Sequence, residues 1–580
     1  MSQTAPVSPH FPALTMAEAH ARLTAPGAPF EMETVTVDGV TLRTYTAQPP
    51  HIRAVLEASR AHGAKDFIVF EDERITFEHH FRAVARLAQE LKDIHSVQKG
   101  DRVVLAMRNF PEWSVAFFAV IAVGAVVVPL NAWGTGPELE YGLSDSGARL
   151  AILDEERMHR LMPHFEALDL DGVIVARAGG EIPSFVERFE DLVEETAAYG
   201  LLPDRPLPDV DIQPDDNATI FYTSGTTGKP KGALGTHRNF LTNLMNLSCS
   251  QARAALRRGE EIPQPDPDAP QRVLLLSVPL FHATGCHSIL VPNLFTGTRI
   301  VMMYKWEPVR AMELIEREGG THFGGVPAMV WQVLEHPRFR EFDLSSVQSI
   351  SYGGAPAAPG LVRRIAEAFP HVQAGNGYGL TEISSAVSQN VGDDYRLRPD
   401  SVGVVFPVNE AKVVNEAGED LPVGGVGELW LRGPNVVKGY WNKPEATEKT
   451  FGGGWLKTGD VARMDEEGFI FILDRAKDML IRGGENIYCV EVEDALYSHD
   501  AVMDAAVVGI PHDVLGEEVG AIVQVTPGAR VTQEQLQAYV RERLAGFKVP
   551  VRIEIREEPL PRNPNGKILK RQLRDEFLGA

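Results

Sequence analysis

Short β-branched runs alternate with amphipathic helical patterns along most of the chain from about Asp66 onward. Such alternation is typical of α/β layers with largely parallel sheets. The pattern predicts strands at 102–107, 150–153, 173–176, 273–278 and 298–303, and helices at 77–91 and 309–316. The segment 257–271, rich in Pro, Asp and Glu, is predicted to be a solvated loop inserted in this region.

One continuous apolar run, at 115–130, requires a choice between a membrane span and a buried core element. The run is short for a span, and Gly124 and Pro129 interrupt its later part. We therefore predict a buried helix through Val123 that is followed by a strand at 125–128.

The pattern changes towards both ends of the chain. The first forty residues are predicted to be an irregular extension. After about Pro399, short strands separated by glycine-rich turns predict a small β-rich subdomain, and a compact α+β unit follows Asp474. The expected strands are 411–414, 427–432, 469–473, 505–508 and 521–525, and the expected helices are 490–499 and 533–544. The predicted fold class is α/β, with a large N-terminal domain of layered subdomains and a small C-terminal domain.

The composition is that of an ordinary globular protein, with 44% hydrophobic and 23% charged residues among 580. A net charge of −23 argues against nucleic acid or an anionic membrane as a partner, although the C-terminal tail is locally basic. The N-terminus has no visible secretory signal, and the three cysteines lack metal-ligand spacing. These features favour a reducing cytosol and a chain without a transmembrane segment.

The stretch 222–232, Tyr-Thr-Ser-Gly-Thr-Thr-Gly-Lys-Pro-Lys-Gly, has the composition of a loop that wraps a polyphosphate. Glycines let backbone N–H groups approach an anion, hydroxyls donate hydrogen bonds, and two lysines add positive charge. It is not a Walker A loop, because only two residues separate Gly225 from Gly228 and Pro230 occupies the Ser/Thr position. That spacing excludes a P-loop kinase or ATPase, while a flexible surface turn stays open on composition alone.

Four other polar positions have ordinary explanations when each is taken alone. Glu382 is explained as a solvated acid at a helix start, and Asp460 as part of a Thr-Gly-Asp turn. Lys567 is explained as a surface lysine in an Asn-Pro-Asn-Gly turn, and His282 as a satisfied core histidine.

Taken together, these positions belong to a series of segments that resembles the adenylate-forming superfamily of acyl-CoA synthetases, adenylation domains and luciferases. The similarity in order and spacing covers roughly residues 50 to 575. The matching segments are Tyr222 to Gly232, Pro279-Leu280-Phe281-His282, Gly353-Gly354-Ala355-Pro356, Asn376 to Glu382, Thr458-Gly459-Asp460, Asp474 to Asp478, Gly483-Gly484-Glu485-Asn486 and Pro564-Asn565-Gly566-Lys567.

The resemblance implies a site for ATP, Mg²⁺ and coenzyme A. Tyr378 is expected to stack on the adenine, Asp460 to bind the ribose near Arg475, and Glu382 with Thr226 to hold Mg²⁺. The residues expected to bind the nucleotide or coenzyme A are Thr223, Ser224, Gly225, Thr226, Thr227, Gly228, Lys229, Lys231, Gly353, Gly354, Ala355, Asn376, Gly377, Tyr378, Gly379, Thr381, Asp460, Arg475, Gly483, Gly484 and Asn486.

The resemblance also implies two half-reactions that need no covalent enzyme nucleophile. A carboxylate attacks the α-phosphorus of MgATP to give acyl-adenylate and pyrophosphate, and the thiol of coenzyme A then displaces AMP. The positions expected to serve catalysis are Lys567, Thr226, Glu382 and His282. Lys567 is expected to bridge the carboxylate and the α-phosphate, and His282 to border the acyl pocket without acting as a general base.

The family pattern further implies domain boundaries and a motion. Residues 1–45 are expected to form an N-terminal extension, 46–474 the AMP-binding domain, 475–478 a hinge at Lys477, and 479–580 a mobile C-terminal domain. Its rotation is expected to carry Lys567 away and to bring in the Gly483-Gly484 segment for the second half-reaction. Cys489 departs from the family, since many relatives have proline there.

The acyl pocket is expected to be walled by His282, Ala283, Thr284, Val326, Gly353, Gly377 and Gly379. None of these side chains carries a full charge, so a polar or charged acyl tail is disfavoured. A medium- or long-chain fatty acid, or a bulky aryl or cyclic acid, is predicted over acetate.

Other functions of the same fold stay open. The main alternative is a freestanding adenylation enzyme that loads a carrier protein. A luciferase-type oxygenase shares the first step, whereas intact Lys567, Glu382 and Asp460 argue against a regulator that has lost catalysis. Homodimers occur among relatives, so a homodimer is one expectation for assembly.

Overall fold

The computed structural model describes residues 11–223, 229–264, 266, 268–355, 359–475, 478–483, 485–526, 528–563 and 566–579. Their secondary structure is mixed α/β, and the predicted fold class is confirmed. The α-helices are Met16–Thr24, Ile52–Ser59, Phe77–Asp93, Pro111–Ala122, Gly136–Ser146, Glu155–Leu161, Phe189–Val193, His237–Arg257, Ala283–Gly285, Val291–Thr296, Pro308–Glu318, Pro327–Leu334, Pro359–Ala368, Gly392–Leu397, Pro444–Phe451, Cys489–Tyr497, Gln533–Arg541 and Lys570–Leu578.

Shorter helical segments connect several of these elements. The 3₁₀ turns are Arg60–His62, Met162–Ala167, Thr196–Leu201, Phe339–Glu341, Thr381–Ile383, Gly452–Gly454 and Gly546–Lys548, and Cys286–Leu290 is a π-helical turn.

Two large sheets form the centre of the N-terminal part. In spatial order, the eight-stranded sheet contains Gly439–Tyr440, Gly232–Thr236, Asn217–Tyr222, Val126–Pro129, Arg102–Ala106, Leu150–Asp154, Gly172–Ala176 and Val186–Arg188. The nine-stranded sheet contains Val404–Val405, Ser385–Val391, Gln373–Leu380, Ser349–Gly353, His322–Gly325, Val273–Leu276, Arg299–Met302, Asp66–Phe70 and Glu73–Thr76. Most interior strands of both are parallel, as the alternating pattern predicts. The exceptions are Gly232–Thr236 and Ser385–Val391, which pair antiparallel with both neighbours.

The main core lies between the two sheets. Helices Phe77–Asp93, Pro111–Ala122 and His237–Arg257 contribute to it, together with apolar side chains from both sheets. Every residue of Pro111–Ala122 is buried, and so is the whole strand Val126–Pro129. The helix and strand predicted for the apolar run are therefore confirmed. No helix in the described part of the chain is both long enough and apolar enough to cross a membrane.

Two smaller sheets follow along the chain. Glu410–Val414, Gly427–Arg432, Leu456–Met464 and Ile470–Arg475 form an antiparallel four-stranded sheet, which confirms the β-rich subdomain. The last sheet contains Glu485–Ile487, Leu480–Arg482, Gly516–Val525, Val502–His512 and Arg552–Arg556. Helices Cys489–Tyr497 and Gln533–Arg541 pack on one face of this last sheet and Lys570–Leu578 on the other.

The prediction of an irregular N-terminal extension is wrong. Residues Met16–Thr24 form a helix that begins with a capping box between Thr15 and Glu18. Met32–Val37 and Val40–Tyr45 then form an antiparallel hairpin. Ala19, Leu23 and Tyr45 pack against the long helix His237–Arg257, so burial against that helix orders the segment.

The solvated loop begins slightly later than predicted. Arg257 is the last residue of the long helix and is buried, with its guanidinium paired to Asp394. From Gly259 to Gln271, the described residues form neither helix nor strand, and most of them are exposed.

Candidate active site

One large cleft, with a volume of about 2740 Å³, brings most of the predicted site residues together. It lies beside the nine-stranded sheet and also receives side chains from the four-stranded sheet and from the C-terminal part. The predicted residues that line it are Thr223, Lys229, Lys231, His282, Ala283, Thr284, Val326, Gly353, Gly354, Ala355, Asn376, Gly377, Tyr378, Gly379, Thr381, Glu382, Asp460, Arg475 and Lys567.

Two predicted residues lie elsewhere. Gly483 and Asn486 belong to the exposed hairpin of strands Leu480–Arg482 and Glu485–Ile487, outside the cleft. The remaining predicted positions, Ser224, Gly225, Thr226, Thr227, Gly228, Lys477 and Gly484, lie outside the described residues.

Asp460 is the most firmly held acid of the cleft. It is 3% exposed and lies opposite Arg475 on neighbouring antiparallel strands. Its Oδ1 pairs with Arg475 Nε at 2.8 Å, and its Oδ2 accepts a hydrogen bond from the Tyr378 hydroxyl at 2.5 Å. Burial and the neighbouring carboxylate raise the pKa of Tyr378 well above its usual value, so the phenol stays a donor. Three residues distant in sequence therefore form one bonded unit.

Glu382 has its own hydrogen-bond partner in Tyr440. The Tyr440 hydroxyl donates to Glu382 Oε1 at 2.7 Å. Lys231 Nζ lies 4.7 Å from the centre of the Tyr440 ring, so this tyrosine connects the end of the glycine-rich stretch with the acid. Burial, followed by the nearby carboxylate, raises the pKa of Tyr440 above its ordinary value.

A second tyrosine contacts the other lysine of the glycine-rich stretch. Lys229 Nζ lies 4.9 Å from the centre of the Tyr141 ring. The Tyr141 hydroxyl donates to the carbonyl oxygen of Pro230 at 2.9 Å. Residues 229–232 at the end of this stretch are thus held against the eight-stranded sheet and the helix Gly136–Ser146 that covers it.

A chain of buried amides supports the segment that carries Glu382. Asn435 donates to the carbonyl oxygens of Ile383 at 3.2 Å and Ala386 at 3.1 Å. Asn435 Oδ1 in turn accepts from Asn409 at 2.5 Å, and Asn409 Oδ1 accepts from Asn246 on the long helix at 3.2 Å. The backbone at Ile383, next to Glu382, and at Ala386 is therefore tied to the core through groups that water does not reach.

The amide chain ends in the N-terminal hairpin. The Tyr45 hydroxyl donates to Asn246 Oδ1 at 2.9 Å, and Tyr45 is 2% exposed. A segment predicted to be an irregular extension thus contacts the structural support of Glu382.

His282 and Lys567 both line the cleft, and they are close enough for the charge of Lys567 to act on the imidazole. Burial lowers the pKa of His282 to about 3, and the positive charge of Lys567 contributes to the same shift. The imidazole is therefore neutral and only weakly basic at neutral pH, and its exclusion as a general base stays a prediction. Its Nε2 is buried and has no hydrogen-bond partner within the described residues.

Lys567 is presented by a turn of the C-terminal part. Its N–H donates to Asn563 Oδ1 at 3.0 Å, and its carbonyl oxygen accepts from the Asn563 N–H at 2.8 Å. Gly566 has a φ of +73°, and a Cβ at this position would lie 2.7 Å from Val326 Cγ2. Glycine is thus required both by the backbone conformation and by the close approach of this turn to the acyl side of the cleft.

The glycines of the cleft differ in the space that an added Cβ would have. A Cβ on Gly353 would lie 2.6 Å from the carbonyl oxygen of Gly377, and one on Gly379 would collide with the backbone of Ser385. A Cβ on Gly377 would meet only the carbonyl oxygen of Ser388, at 3.9 Å. Close strand contacts therefore explain Gly353 and Gly379. Open space remains at Gly377 alone among these three.

The residues present suit Mg²⁺ as an ion that arrives with ATP. Among the described residues, no group of three or more His, Cys, Asp or Glu side chains could hold a metal ion by itself. Mg²⁺ is commonly bound by one or two carboxylates together with substrate phosphates, and Glu382 provides one carboxylate in the cleft.

Cys489, the departure noted in the sequence, forms a contact that proline could not form. Its N–H donates to Asp474 Oδ2 at 2.5 Å, and its Sγ donates to the carbonyl oxygen of Asp478 at 3.1 Å. Proline lacks the N–H, so the cysteine adds a hydrogen bond beside the predicted hinge.

The residues that support Glu382 were not predicted from the motifs. One signal for them was available, since Asn239, Asn243 and Asn246 recur at helical spacing on His237–Arg257 and are all buried. Asn243 Oδ1 accepts from the Ala386 N–H at 3.0 Å, and Asn239 donates to the carbonyl oxygens of Pro434 and Val436. Buried amides at regular spacing indicate that a helix holds other backbone segments.

Two family models match the chain. The model described as AMP-binding enzyme matches residues 55–441, and the model described as AMP-binding enzyme C-terminal domain matches residues 491–567. Together they include the segments that carry Glu382, His282 and Lys567.

Individual proteins are similar over most of the length. A feruloyl-CoA synthase of Amycolatopsis sp is 36% identical over 504 residues, which are 87% of this chain and 94% of the relative. A long-chain-fatty-acid–CoA ligase of Bacillus subtilis (strain 168) is 33% identical over 537 residues, with 88% and 92% covered. The solved structure of o-succinylbenzoate coenzyme A synthetase from Bacillus subtilis, in complex with ATP and magnesium ion, is similar with a TM-score of 0.73 and 28% identity, covering 91% of this chain and all of that chain.

Proposed function

The chain belongs to the AMP-binding enzyme family, and from this premise we propose that it is an ATP-dependent acid–CoA ligase. It activates a carboxylic acid as the acyl-adenylate with release of pyrophosphate and then transfers the acyl group to the thiol of coenzyme A. The observation that carries this proposal is the meeting of Lys567, His282 and Glu382 in one cleft, from three separate parts of the chain.

Asp460, Arg475 and Tyr378 would bind the nucleoside. The Asp460 carboxylate can accept hydrogen bonds from ribose hydroxyls, while Arg475 fixes its orientation by pairing with Oδ1. Gly354 has a φ of +76° and open space at its Cβ position, so its backbone can lie flat against an adenine ring.

Glu382 would hold Mg²⁺ together with the phosphates of ATP. The bound ion supplies neutralisation of charge on the phosphate oxygens. The task of the protein is to keep the carboxylate of Glu382 aimed into the cleft, which the Tyr440 hydroxyl and the amide chain through Asn435 accomplish. Lys231, stacked on Tyr440, would add positive charge on the same side.

Lys567 would stabilise the first half-reaction. When one anion attacks another, negative charge accumulates on the reacting oxygens, and a compact ammonium group suits that location. The neutral imidazole of His282 leaves Lys567 as a cation at that point of the cleft without adding a second charge. His282 would border the carboxylate of the acid.

The second half-reaction would require a different placement of the C-terminal part. Gly483 and Asn486 are predicted to contact coenzyme A, yet their hairpin lies outside the cleft that Lys567 lines. We propose that 46–474 and 479–580 are the two domains, that 475–478 is the hinge, and that rotation exchanges Lys567 for this hairpin.

The acid is proposed to be an aryl or fatty acid. The relatives are named for feruloyl and long-chain fatty acyl groups, and Ala283, Val326 and the open space at Gly377 form an uncharged pocket beside His282. A carrier protein as the acceptor is the alternative, because the adenylation half of the cleft would be the same for both acceptors.

Cytosolic location and a homodimer complete the proposal. Three buried free cysteines suit a reducing compartment. Light scattering of the purified chain measures its mass directly and decides between monomer and dimer.

ATP-dependent pyrophosphate release over a panel of acids, with and without coenzyme A, tests the reaction. The panel should include acetate, medium- and long-chain fatty acids, benzoate and arylalkanoates. A CoA thioester identified by mass, together with AMP, is expected for at least one acid. Pyrophosphate release without thioester would favour the carrier-protein acceptor, and ADP formation would contradict the proposal.

A further inference from the structure

The interior strands of the nine-stranded sheet leave part of one face uncovered. On strand Ser349–Gly353, Ile350 and Tyr352 point into the core on one side of the sheet. Ser351, between them, is exposed although its strand is paired on both edges. A central strand normally buries both faces, so an exposed residue there means that a cavity lies against the sheet.

This uncovered face forms one wall of the cleft beyond the acyl pocket. Ser349 pairs with Gln373, Gly353 pairs with Gly377, and Gly377 pairs with Gln389 on the next strand. Directly paired residues share a face, so these side chains lie side by side. We call Ser349, Ser351, Gln373 and Gln389 the polar wall; all four line the cleft.

The opposite side of this space is the long helix His237–Arg257. Ser248 and Gln251 of the helix line the same cleft. The helix is fixed over the polar wall because Arg253 donates to the carbonyl oxygen of Gln389 at 2.6 Å. Hydroxyl and carboxamide groups therefore face each other across the space.

The distance of the polar wall from Gly353 follows from the geometry of the strand. A strand rises about 3.3 Å per residue, so Ser351 lies about 7 Å and Ser349 about 13 Å along the strand from Gly353. Gly566, next to Lys567, closely approaches Val326, which follows directly on Gly325, the strand partner of Tyr352. Lys567, which is proposed to meet the carboxylate, therefore lies at the Gly353 end of these strands, with His282 near it. An acid that fills this space would place its far end against the hydroxyls and amides.

The wall offers hydrogen bonds but no ionised group. His322, paired with Ser349 on the adjoining strand, is a titratable neighbour of the wall. Burial, and then the charge of Arg272, lowers the pKa of His322 to about 4, so this imidazole is neutral at neutral pH. Arg258, at the same end of the cleft, is paired with Glu260 at 2.6 Å.

One group of the wall lacks a partner. The Oε1 of Gln389 is buried and has no hydrogen-bond partner within the described residues. Rotation about the last side-chain bond of a glutamine exchanges the positions of its amide oxygen and nitrogen, so the oxygen can turn towards the cleft that Gln389 lines. A buried amide oxygen without a hydrogen-bond donor lowers the stability of the folded protein by about 1–3 kcal/mol. A ligand that carries a hydrogen-bond donor at this depth is therefore favoured over an alkyl chain.

We infer that the acid activated by this chain carries an uncharged oxygen-bearing group, such as a hydroxyl, at the end far from its carboxylate, and that Gln389 and Ser351 select for it. The inference rests on the proposed function, which assigns the carboxylate to the His282 and Lys567 end. It differs from the expectation of a wholly apolar tail because that expectation considered only residues near the carboxylate.

Matched acids that differ by one hydroxyl test the inference. The pairs are decanoate with ω-hydroxydecanoate and cinnamate with para-hydroxycinnamate, each assayed with the full chain, MgATP and coenzyme A. We expect kcat/KM to be about tenfold higher for the hydroxylated member of at least one pair. Equal values, or a preference for the unsubstituted acid in both pairs, would overturn the inference.

Variants of the wall show whether these residues cause the preference. Gln389→Leu and Ser351→Ala should each reduce the ratio of kcat/KM for the hydroxylated and unsubstituted acids several-fold, while KM for ATP stays unchanged. Gln524→Leu is the matched control, since Gln524 also lies on a sheet strand but outside the cleft. A ratio that persists in both wall variants would mean that the wall is only a solvated surface.

Direct binding separates this inference from the proposed reaction. Calorimetry should measure tighter binding of the hydroxylated acid to the wild-type chain than to Gln389→Leu. If no acid supports pyrophosphate release but this difference in binding persists, the ligase proposal fails and the selectivity stands. If release occurs with many acids and neither binding nor kcat/KM depends on the hydroxyl, the selectivity fails and the ligase proposal stands.

Discussion

The acids and the lysine of the cleft are held in contrasting ways. Asp460 pairs with Arg475 and Tyr378, and Glu382 accepts a hydrogen bond from Tyr440. These three partners lie on strands of three different sheets. Lys567 enters the same cleft on a turn of the C-terminal part that is closed by bonds with Asn563, only four residues away. The two acids, which are proposed to stay in place, are bonded to other parts of the fold. Lys567, which is proposed to leave the cleft between the half-reactions, lies on a local turn that can move together with its domain.

Removing Lys567 should have the largest effect on catalysis. In Lys567→Ala, we expect adenylation to fall by at least about 10²–10³-fold, because a cation at the developing charge is lost. Thioester formation from supplied acyl-adenylate should be close to that of the wild type. Stopped-flow or quench measurements of each half-reaction check the two expectations.

Lys548→Ala is the control for this variant. Lys548 also belongs to the C-terminal part but is paired with Glu491 at 2.5 Å and lies outside the cleft. Equal loss of both half-reactions in Lys567→Ala would contradict the proposal that Lys567 serves adenylation alone and leaves the cleft before thioester formation.

Removing Asp460 should have the next largest effect, on nucleotide binding. Asp460→Ala leaves Arg475 and the Tyr378 hydroxyl without their partner, and hydrogen bonds to charged groups contribute about 1.5–3 kcal/mol. We expect KM for ATP to rise about ten- to hundredfold, with a smaller change in KM for the acid. Asp420→Ala, in an exposed pair with Lys412, should leave both constants unchanged. A change confined to kcat would contradict a role in binding the nucleoside.

Removing the hydrogen bonds that Asn435 makes to the segment of Glu382 should have a smaller effect, on kcat and on the Mg²⁺ requirement. Asn435→Leu leaves the carbonyl oxygens of Ile383 and Ala386 without their donor. We expect kcat to fall about tenfold and the Mg²⁺ concentration for half-maximal rate to rise, since the carboxylate of Glu382 would lose its fixed direction. Titration with Mg²⁺ at saturating ATP measures this.

Asn415→Ala, in the turn that precedes Asp420, serves as the control for Asn435→Leu. If Asn435→Leu lowers the thermal stability but leaves the Mg²⁺ dependence as in the wild type, Asn435 supports the fold and not the site.

The smallest effect on activity is expected from the protonation of His282. Its folded pKa of about 3 lies below the usual 6.5, so the unfolded chain binds this proton first as the pH falls. The stability from the neutral, buried imidazole is complete above pH 6.5 and is lost as the pH falls towards 3, by up to about 1.4 kcal/mol per pH unit. Chemical denaturation at several pH values should show a shallower acid dependence in His282→Asn.

The activity of the wild type and of His282→Asn gives the complementary measurement. The shape of the kcat/KM profile between pH 5.5 and 8 should be the same in both, although its level differs. An activity limb near pH 6.5 that disappears in His282→Asn would show that this histidine titrates during turnover.

The N-terminal segment shows which features short sequence patterns can predict and which they cannot. Thr15 and Glu18 have the spacing of a capping box, and Met16, Ala19 and Leu23 recur on one helical face, so the helix was predictable in principle. The contact of Tyr45 with Asn246 was not predictable, because nothing near either residue indicates which distant amide will lie beside it.

Short patterns along the chain were sufficient to predict the alternation of strands and helices, the buried helix within the apolar run, and the family to which the chain belongs. These features depend on the period of the backbone and on residue types at fixed spacing, which are local properties. Three features depend on the packing of the whole chain: Lys567 lies near His282, buried asparagines support the segment of Glu382, and polar side chains of a central sheet face an open cavity. Such contacts join residues that are far apart along the chain, so they are set by how whole layers pack and not by any short pattern.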